Sequence, residues 1–333
     1  MGRKKKSVEL PFFVPTFSSM HHSVVAELVL ARRKTASIQL LNQCTNLNCK
    51  RLFLNGYTGL DMYFDEANAI CFHNIKYYQN DLIYMLRYAK DVIKKMLDDG
   101  MYVYFLRMDD YYFPGKSYYG TKHIEHDGII SGYDNNDNTF TVIAYNTDWI
   151  LKPFKISQDE FIEVVKKSID YGLCPMIRGM RPKKIETKLD LNQILVGLKK
   201  YIEKQDISPD YFGFIKGNAV HDHFALYIDK LIDGSIPHDK MDWRPMRIIW
   251  EFRVRMLERI KAVEAALMLD DSISREYAPI VEEDDRLRML YSMCTKKMRI
   301  PLLNTIKNGV EKAKNDEERL LDKLISKMEE KLK

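Results

Sequence analysis

No apolar run in the 333 residues approaches the roughly 18 needed for a membrane-crossing helix, so no transmembrane segment is expected. Nor is there a signal-peptide apolar core: the basic start Gly2-Arg3-Lys4-Lys5-Lys6 runs into Pro11 and Pro15. Cysteine is sparse. The five thiols, Cys44, Cys49, Cys71, Cys174 and Cys294, are odd in number and scattered. Cys44 and Cys49 lack a second Cys/His pair at zinc spacing, so all five are expected to be reduced thiols in a cytoplasmic protein. There is no HExxH, no glycine-rich phosphate loop, no internal repeat and no low-complexity tract. No metal and no cofactor is therefore expected.

Charge of one sign is also lacking. The 52 basic and 47 acidic residues leave a net charge of +5. Such a balance usually means a solvated surface. The sharper reading is a small basic patch, with Arg178, Arg181, Lys183 and Lys184 as candidates, facing an acidic partner such as a carrier protein. No nucleic-acid motif accompanies the charge, so nucleic acid is not expected as a ligand.

What the chain does have is apolar content, 46%, enough for real cores. Its most informative stretch runs from Met101 to Trp149. Met101–Arg107, Asp127–Gly132 and Thr139–Tyr145 are runs of strand length, and the Asp- and Asn-rich Tyr133–Asn138 predicts a hairpin between the last two. That hairpin brings His126, where the second strand begins, near Asn146 and Asp148, where the third ends. An imidazole beside an orienting Asn or Asp is two thirds of a triad, although a histidine at a strand end is most often structural.

Upstream, Ser23–Ala31 reads as an apolar helix, which places Ser18 or Ser19 at or before its N-terminus. Such a serine is most often an N-cap. It could also be a nucleophile where the helix end favours an anion. Leu52–Leu54 and Ala69–His73 are strand candidates, and Asp81–Leu97 has helical spacing ended by Gly100. Ser157–Ile169 is a helix opened by a capping box, Ser157 with Glu160. Arg178–Lys188 reads as a linker. Beyond it the periodicity is helical: Asn192–Glu203, His221–Ile232, Pro245–Met268, Asp284–Lys297 and Leu302–Lys333. The last carries an apolar stripe of Ile306, Val310, Leu320, Leu321, Leu324 and Met328. The expected architecture is α+β, with residues 1–180 as a mixed domain and 189–333 as a helical one.

His123 and His126, with Asp127, Asp109 and Asp110 nearby, also have metal-ligand chemistry. No helix holds the two histidines on one face, so this ranks below the triad. His21 and His22 are adjacent and would point different ways, so at most one could help a site, and the pair His221, His223 reads as polar surface or cap residues.

The segment Gly100-Met101-Tyr102-Val103, Asp109-Asp110-Tyr111, Pro114, His123-x-x-His126-x5-Gly132-Tyr133-Asp134 resembles the N-terminal domain of the butirosin-biosynthesis acyltransferase family. That domain is a papain-like relative of the C39 bacteriocin-processing peptidases. In both groups a histidine stands six residues before a Gly-Tyr-Asp turn, and an Asp or Asn closes the next strand, as His126 and Asn146 do here. The helical half is similar as well. The resemblance implies a papain-like (C39-like) cysteine-protease fold followed by a helical domain, with a cysteine at the start of the first helix. Here the junction is Ser18-Ser19-Met20-His21-His22. Either serine is the natural nucleophile, or the chain is an inactive relative that only binds, or a cysteine has been replaced. By register Ser19 is the first choice and Ser18 the second; Cys44 and Cys49 lie too far along.

The implied activity is acyl transfer from an acyl or peptidyl carrier protein, whose phosphopantetheine arm holds the thioester, to an amine in specialised-metabolite biosynthesis. The catalytic residues would be Ser19, His126 and Asn146 or Asp148. Ser18, Asp109, Asp110 and His123 would contact substrate. A carrier-binding scaffold and a peptidase or amidase are the alternatives, and a homo-oligomer is left open.

Overall fold

A computed structural model of the chain describes residues 6–15, 24–33, 38–43, 45–50, 59–60, 62–64, 75–203, 206–207, 214–297 and 299–333. In chain order the elements begin with β1 (Ser7–Glu9), α1 (Val25–Ala31), α2 (Ile38–Asn42), β2 (Leu47–Lys50) and β3 (Met62–Phe64). β4 (Ile75–Asp81), α3 (Leu82–Met85), α4 (Ala89–Asp98), β5 (Tyr102–Asp109), β6 (Glu125–Asp134) and β7 (Thr139–Tyr145) follow. Next come β8 (Leu151–Ser157), α5 (Gln158–Asp170), β9 (Met176–Pro182), α6 (Leu191–Ile202), β10 (Asp206–Ile207) and β11 (Phe214–Lys216). The last are α7 (Ala219–Ile232), α8 (Pro245–Leu267), α9 (Ser272–Lys296) and α10 (Ile300–Lys331). The class is α+β, and the chain divides into two compact units, residues 1–37 with 68–186, and residues 38–67 with 187–333.

The first unit is built on a seven-stranded antiparallel sheet in the order β4-β9-β5-β6-β7-β8, with β1 added beside β6. β5 is buried on both faces except at Arg107, as a continuous apolar run in a central strand should be. The hairpin after β6 turns where expected. Asp134 Oδ1 accepts the Asn136 N–H at 2.7 Å, and Asn138 takes a left-handed φ of 52°, which asparagine tolerates. Gly132 has a different role from a turn glycine. It lies inside β6 opposite Glu9, where an added Cβ would come within 2.5 Å of the Val8 carbonyl. α4 and α5 pack on β5, and Phe161 of α5 meets Phe105, Phe113 and Phe140 edge-on. This aromatic core supports the loop that follows β5.

α5 opens with both halves of its capping box: Ser157 Oγ accepts the Glu160 N–H at 3.0 Å, and Glu160 accepts the Ser157 N–H at 3.1 Å. Ser157→Ala should therefore lower stability by about 1 kcal/mol. The expected result is a lower urea midpoint with an unchanged m-value.

Several expectations give way here. Arg178–Lys188 is not simply a linker, because Met176–Pro182 is β9, paired with both β4 and β5. The helix expected over Asp81–Leu97 is broken by a 3-10 turn at Leu86–Tyr88, and β4 precedes it. The strand candidates Leu52–Leu54 and Ala69–His73 lie outside the described residues.

In the second unit a small antiparallel sheet, β10-β11-β2-β3, accompanies α2 and the long helices. Residues 38–67 therefore group with the C-terminal half rather than with an uninterrupted 1–180. Two pairings account for this. β2 is hydrogen-bonded to β11. The fully buried Arg259 of α8 donates to the carbonyls of Leu41 at 2.7 Å, Gln43 at 2.8 Å and Leu40 at 3.3 Å, closing the open C-terminal end of α2. The expected stripe on α10 is buried at every position named for it. α9 begins at Ser272, ahead of the expected Asp284, and runs through Pro279.

Five helices of this unit meet at a buried polar cluster. Arg253 of α8 donates to Asp284 of α9 at 2.7 and 2.8 Å, and to Glu317 of α10 at 3.2 and 3.3 Å. Glu317 also accepts the hydroxyls of Tyr201 of α6, at 2.9 Å, and Tyr277 of α9. His221 of α7 lies 3.0 Å from the Tyr201 hydroxyl. Burial, reinforced by the Arg253 charge, holds the His221 imidazole well below its usual range.

Candidate functional site

The loop between β5 and β6 turns two aspartates inward. β5 ends in an irregular register between Phe105 and Met108, with Arg107 at a φ of 59°. Asp109 and Asp110 are both buried. Asp109 organises the loop: its Oδ1 accepts the N–H groups of Tyr111 at 3.0 Å and Ile124 at 3.2 Å. Its Oδ2 is 2.6 Å from His123 Nδ1. Asp110 is arranged in the same way toward the second histidine, with Oδ2 2.6 Å from His126 Nδ1.

The two histidine–aspartate pairs have different surroundings. The His123 ring is stacked between Tyr111 at 4.1 Å and Tyr171 at 4.3 Å, and Tyr112 meets it edge-on. Both faces of that ring are covered, so its task is packing. Among the described residues the His126 ring has only a tilted ring contact, with Tyr118 at 5.9 Å, and its side chain is 44% exposed. With Nδ1–H donating to Asp110, the Nε2 lone pair is available on an open edge.

Asp110 is in turn held by Lys116, which is 2% exposed and forms an ion pair with Oδ1. The ammonium also donates to the Asp127 carbonyl at 3.2 Å and lies over the rings of Phe113 and Phe105. A buried carboxylate with one oxygen on a buried ammonium and the other on an imidazole has little freedom to turn.

Asn146 and Asp148 were expected to orient His126, and the structure gives that contact to Asp110. Register along β6 and β7 would set Asn146 opposite His126, but the ladder stops at Ile129–Ile143. The segment carrying Lys116 comes in at that point, and Asn146 bridges Lys116 instead. The Asn146 side chain then builds its own turn, accepting the N–H groups of Asp148 at 3.1 Å and Ile150 at 2.9 Å and donating to Asp148 at 3.2 Å. Asp109 and Asp110, expected to touch substrate, are the buried partners of the two histidines. Lys116 is a site residue outside the expected set. Its signal was a lone lysine within the aromatic run Tyr111–Tyr119, where a charge must find a partner.

Ser18, Ser19, His21, His22 and Cys44 lie outside the described residues. Among the described residues no three His, Cys, Asp or Glu side chains are grouped to hold a metal ion, and no helix is long and apolar enough to cross a membrane. Arg181, Lys183 and Lys184 lie at the other end of the sheet. Met108 pairs with His126, whereas Tyr102, at the opposite end of β5, pairs with Met180. About 20 Å of strand separates the two ends.

No protein-family model matches the chain, and no curated protein matches it.

Proposed function

We propose that the first unit is an acyl-transfer catalyst of papain-like type, in which His126 is the general base and Asp110 its positioning residue. The reading rests on one observation: an exposed imidazole whose Nδ1 is 2.6 Å from a buried, ion-paired carboxylate. In this reading the hydroxyl of Ser19 attacks the carbonyl of an acyl thioester and His126 Nε2 takes its proton. The carbon–sulfur bond breaks, and the leaving thiolate takes that proton from the imidazolium. An amine then attacks the acyl-serine. His126 accepts the amine proton and returns it to the serine oxygen as the amide leaves. The donor is a thioester on an acidic acyl or peptidyl carrier protein, and no cofactor enters.

The test uses a small-thiol acyl thioester and a primary amine with the full chain, followed by intact-mass spectrometry. The chain should form an acyl adduct and release amide. Ser19→Cys should acylate far faster, because a thiol ionises much more readily than a hydroxyl. His126→Ala should remove about 10²–10⁴-fold of the rate in either background. Free acid in place of amide would make the enzyme a hydrolase. If Ser18→Cys is acylated and Ser19→Cys is not, the nucleophile is Ser18. Should neither acylate, a non-catalytic carrier-binding role is the better account.

A further inference from the structure

The first unit carries a second polar feature that this chemistry leaves unused. At the end of the sheet away from His126, a cleft of about 620 Å³ is lined by Arg32, Arg33, Lys76, Arg181, Lys183 and Lys184, with Asp99, Gly100 and Pro182. Among the described residues six cations face one carboxylate, and that carboxylate is already paired with Lys95 at 2.8 Å. Lys76 and Arg181 are direct cross-strand partners on β4 and β9. Like charges placed opposite each other destabilise a sheet, and here the chain continues from Arg181 into two further lysines.

Two of the arginines are held in place. Past the C-terminal end of α4, Arg32 donates from Nη1 to the Gly100 carbonyl and lies over the Tyr102 ring at 5.5 Å. Arg181 donates from Nη1 to the Asp99 carbonyl at 3.1 Å. Capping those carbonyls explains one N–H on each side chain. Among the described residues it leaves the rest of both guanidinium forks, and the ammonium groups of Lys183 and Lys184, without a hydrogen-bond acceptor. A fixed guanidinium fork matches phosphate oxygens two at a time, and lysines add charge without demanding geometry.

We propose that this cleft binds a ligand through two or more contiguous phosphates. Its volume is that of a small-molecule site. Among the described residues its walls are charged side chains, backbone and the Pro182 ring, with no aromatic side chain to grip a base, so recognition falls on the phosphates. A single phosphate would leave most of the cations unanswered, whereas an oligophosphate chain can answer them together. The site is separate from the His126–Asp110 pair and does not depend on the acyl-transfer reading.

The experiment is calorimetric titration of the full chain at about 0.15 M salt with tripolyphosphate, ATP, orthophosphate and a single-stranded oligonucleotide. Tripolyphosphate and ATP should bind alike, and orthophosphate about tenfold more weakly or worse, since each lost charge-assisted contact is worth roughly that factor. ATP binding well above tripolyphosphate keeps the site and identifies a nucleotide as its source. Arg181→Gln, and the exposed Lys184→Gln, should each weaken tripolyphosphate by about tenfold. Lys76→Gln should weaken it too while raising the thermal midpoint of the ligand-free chain, because it removes a like-charge pair. Equal binding of all the anions overturns the proposal. So does an oligonucleotide bound more tightly than tripolyphosphate, or an affinity that none of the three substitutions moves.

Discussion

Replacing Arg253 by methionine should lower the unfolding free energy of the helical unit by about 3–5 kcal/mol, the usual result of leaving buried charge unpaired. Arg253, Asp284 and Glu317 have fully buried side chains, and one guanidinium serves two carboxylates. Removing it takes from Asp284 the guanidinium it is paired with and leaves Glu317 with the hydroxyls of Tyr201 and Tyr277 and with His221 at 3.6 Å. The loss should also depend on pH. Burial, partly opposed by Arg253, pushes the Asp284 carboxyl up to about 6. Its folded value thus lies above its unfolded one, so the folded state holds the proton more tightly, and stability falls as pH rises between roughly 4 and 6. Without Arg253 the carboxyl moves higher still, and acidification relieves more of the penalty. Urea titrations followed by circular dichroism should therefore show a large deficit in Arg253→Met at pH 7 that narrows at pH 5. A deficit equal at both values would mean that packing volume, not charge, is what the arginine supplies.

That cluster was invisible in the sequence, and the reason is general. Its members lie on five helices, far apart along the chain, and each by itself reads as one more polar residue on an amphipathic helix. What periodicity could show was the apolar stripe of α10, and every residue named there is buried. The same division runs through the first unit. β5, the β6–β7 hairpin and the capped α5 were legible because apolar runs, turn residues and caps act over a few positions. β9 was not. Arg178 and Arg181 made it look like a linker, although Ile177, Gly179 and Met180 are buried, and only its pairing with distant strands makes it a strand. Residues 38–67 joined the wrong half of the chain because Arg259, more than two hundred residues later, decides where α2 belongs.

At the candidate site the histidine was legible and its partner was not. His126 stood out because a strand begins there. Strand register pointed to Asn146, and the register itself was sound as far as Ile129–Ile143. The loop from Asp110 to Lys116 decided the contact, by turning a carboxylate inward and placing its own lysine against Asn146. Loop geometry of that kind depends on side-chain hydrogen bonds, such as those Asp109 accepts from the N–H groups of Tyr111 and Ile124, which no alternation of apolar residues records.

Asp110→Asn should lower the acyl-transfer rate by about 10³–10⁴-fold while leaving substrate binding nearly unchanged, if His126 is the base. The carboxylate oxygen 2.6 Å from Nδ1 can only accept, so it selects the tautomer with hydrogen on Nδ1 and leaves Nε2 basic. An asparagine that presents its N–H₂ to Nδ1 reverses the tautomer and puts a hydrogen where the base should be. The substitution also leaves Lys116 buried opposite a neutral group, which threatens folding. Asp110→Asn with Lys116→Met removes that charge as well and separates the two effects. The double variant should regain a wild-type thermal midpoint but not activity. Nitrogen NMR of the His126 imidazole should show hydrogen on Nδ1 in the wild type and on Nε2 in both variants. A double variant that recovers stability and rate together would show that Asp110 only holds the loop in shape, and would leave His126 without a positioning partner.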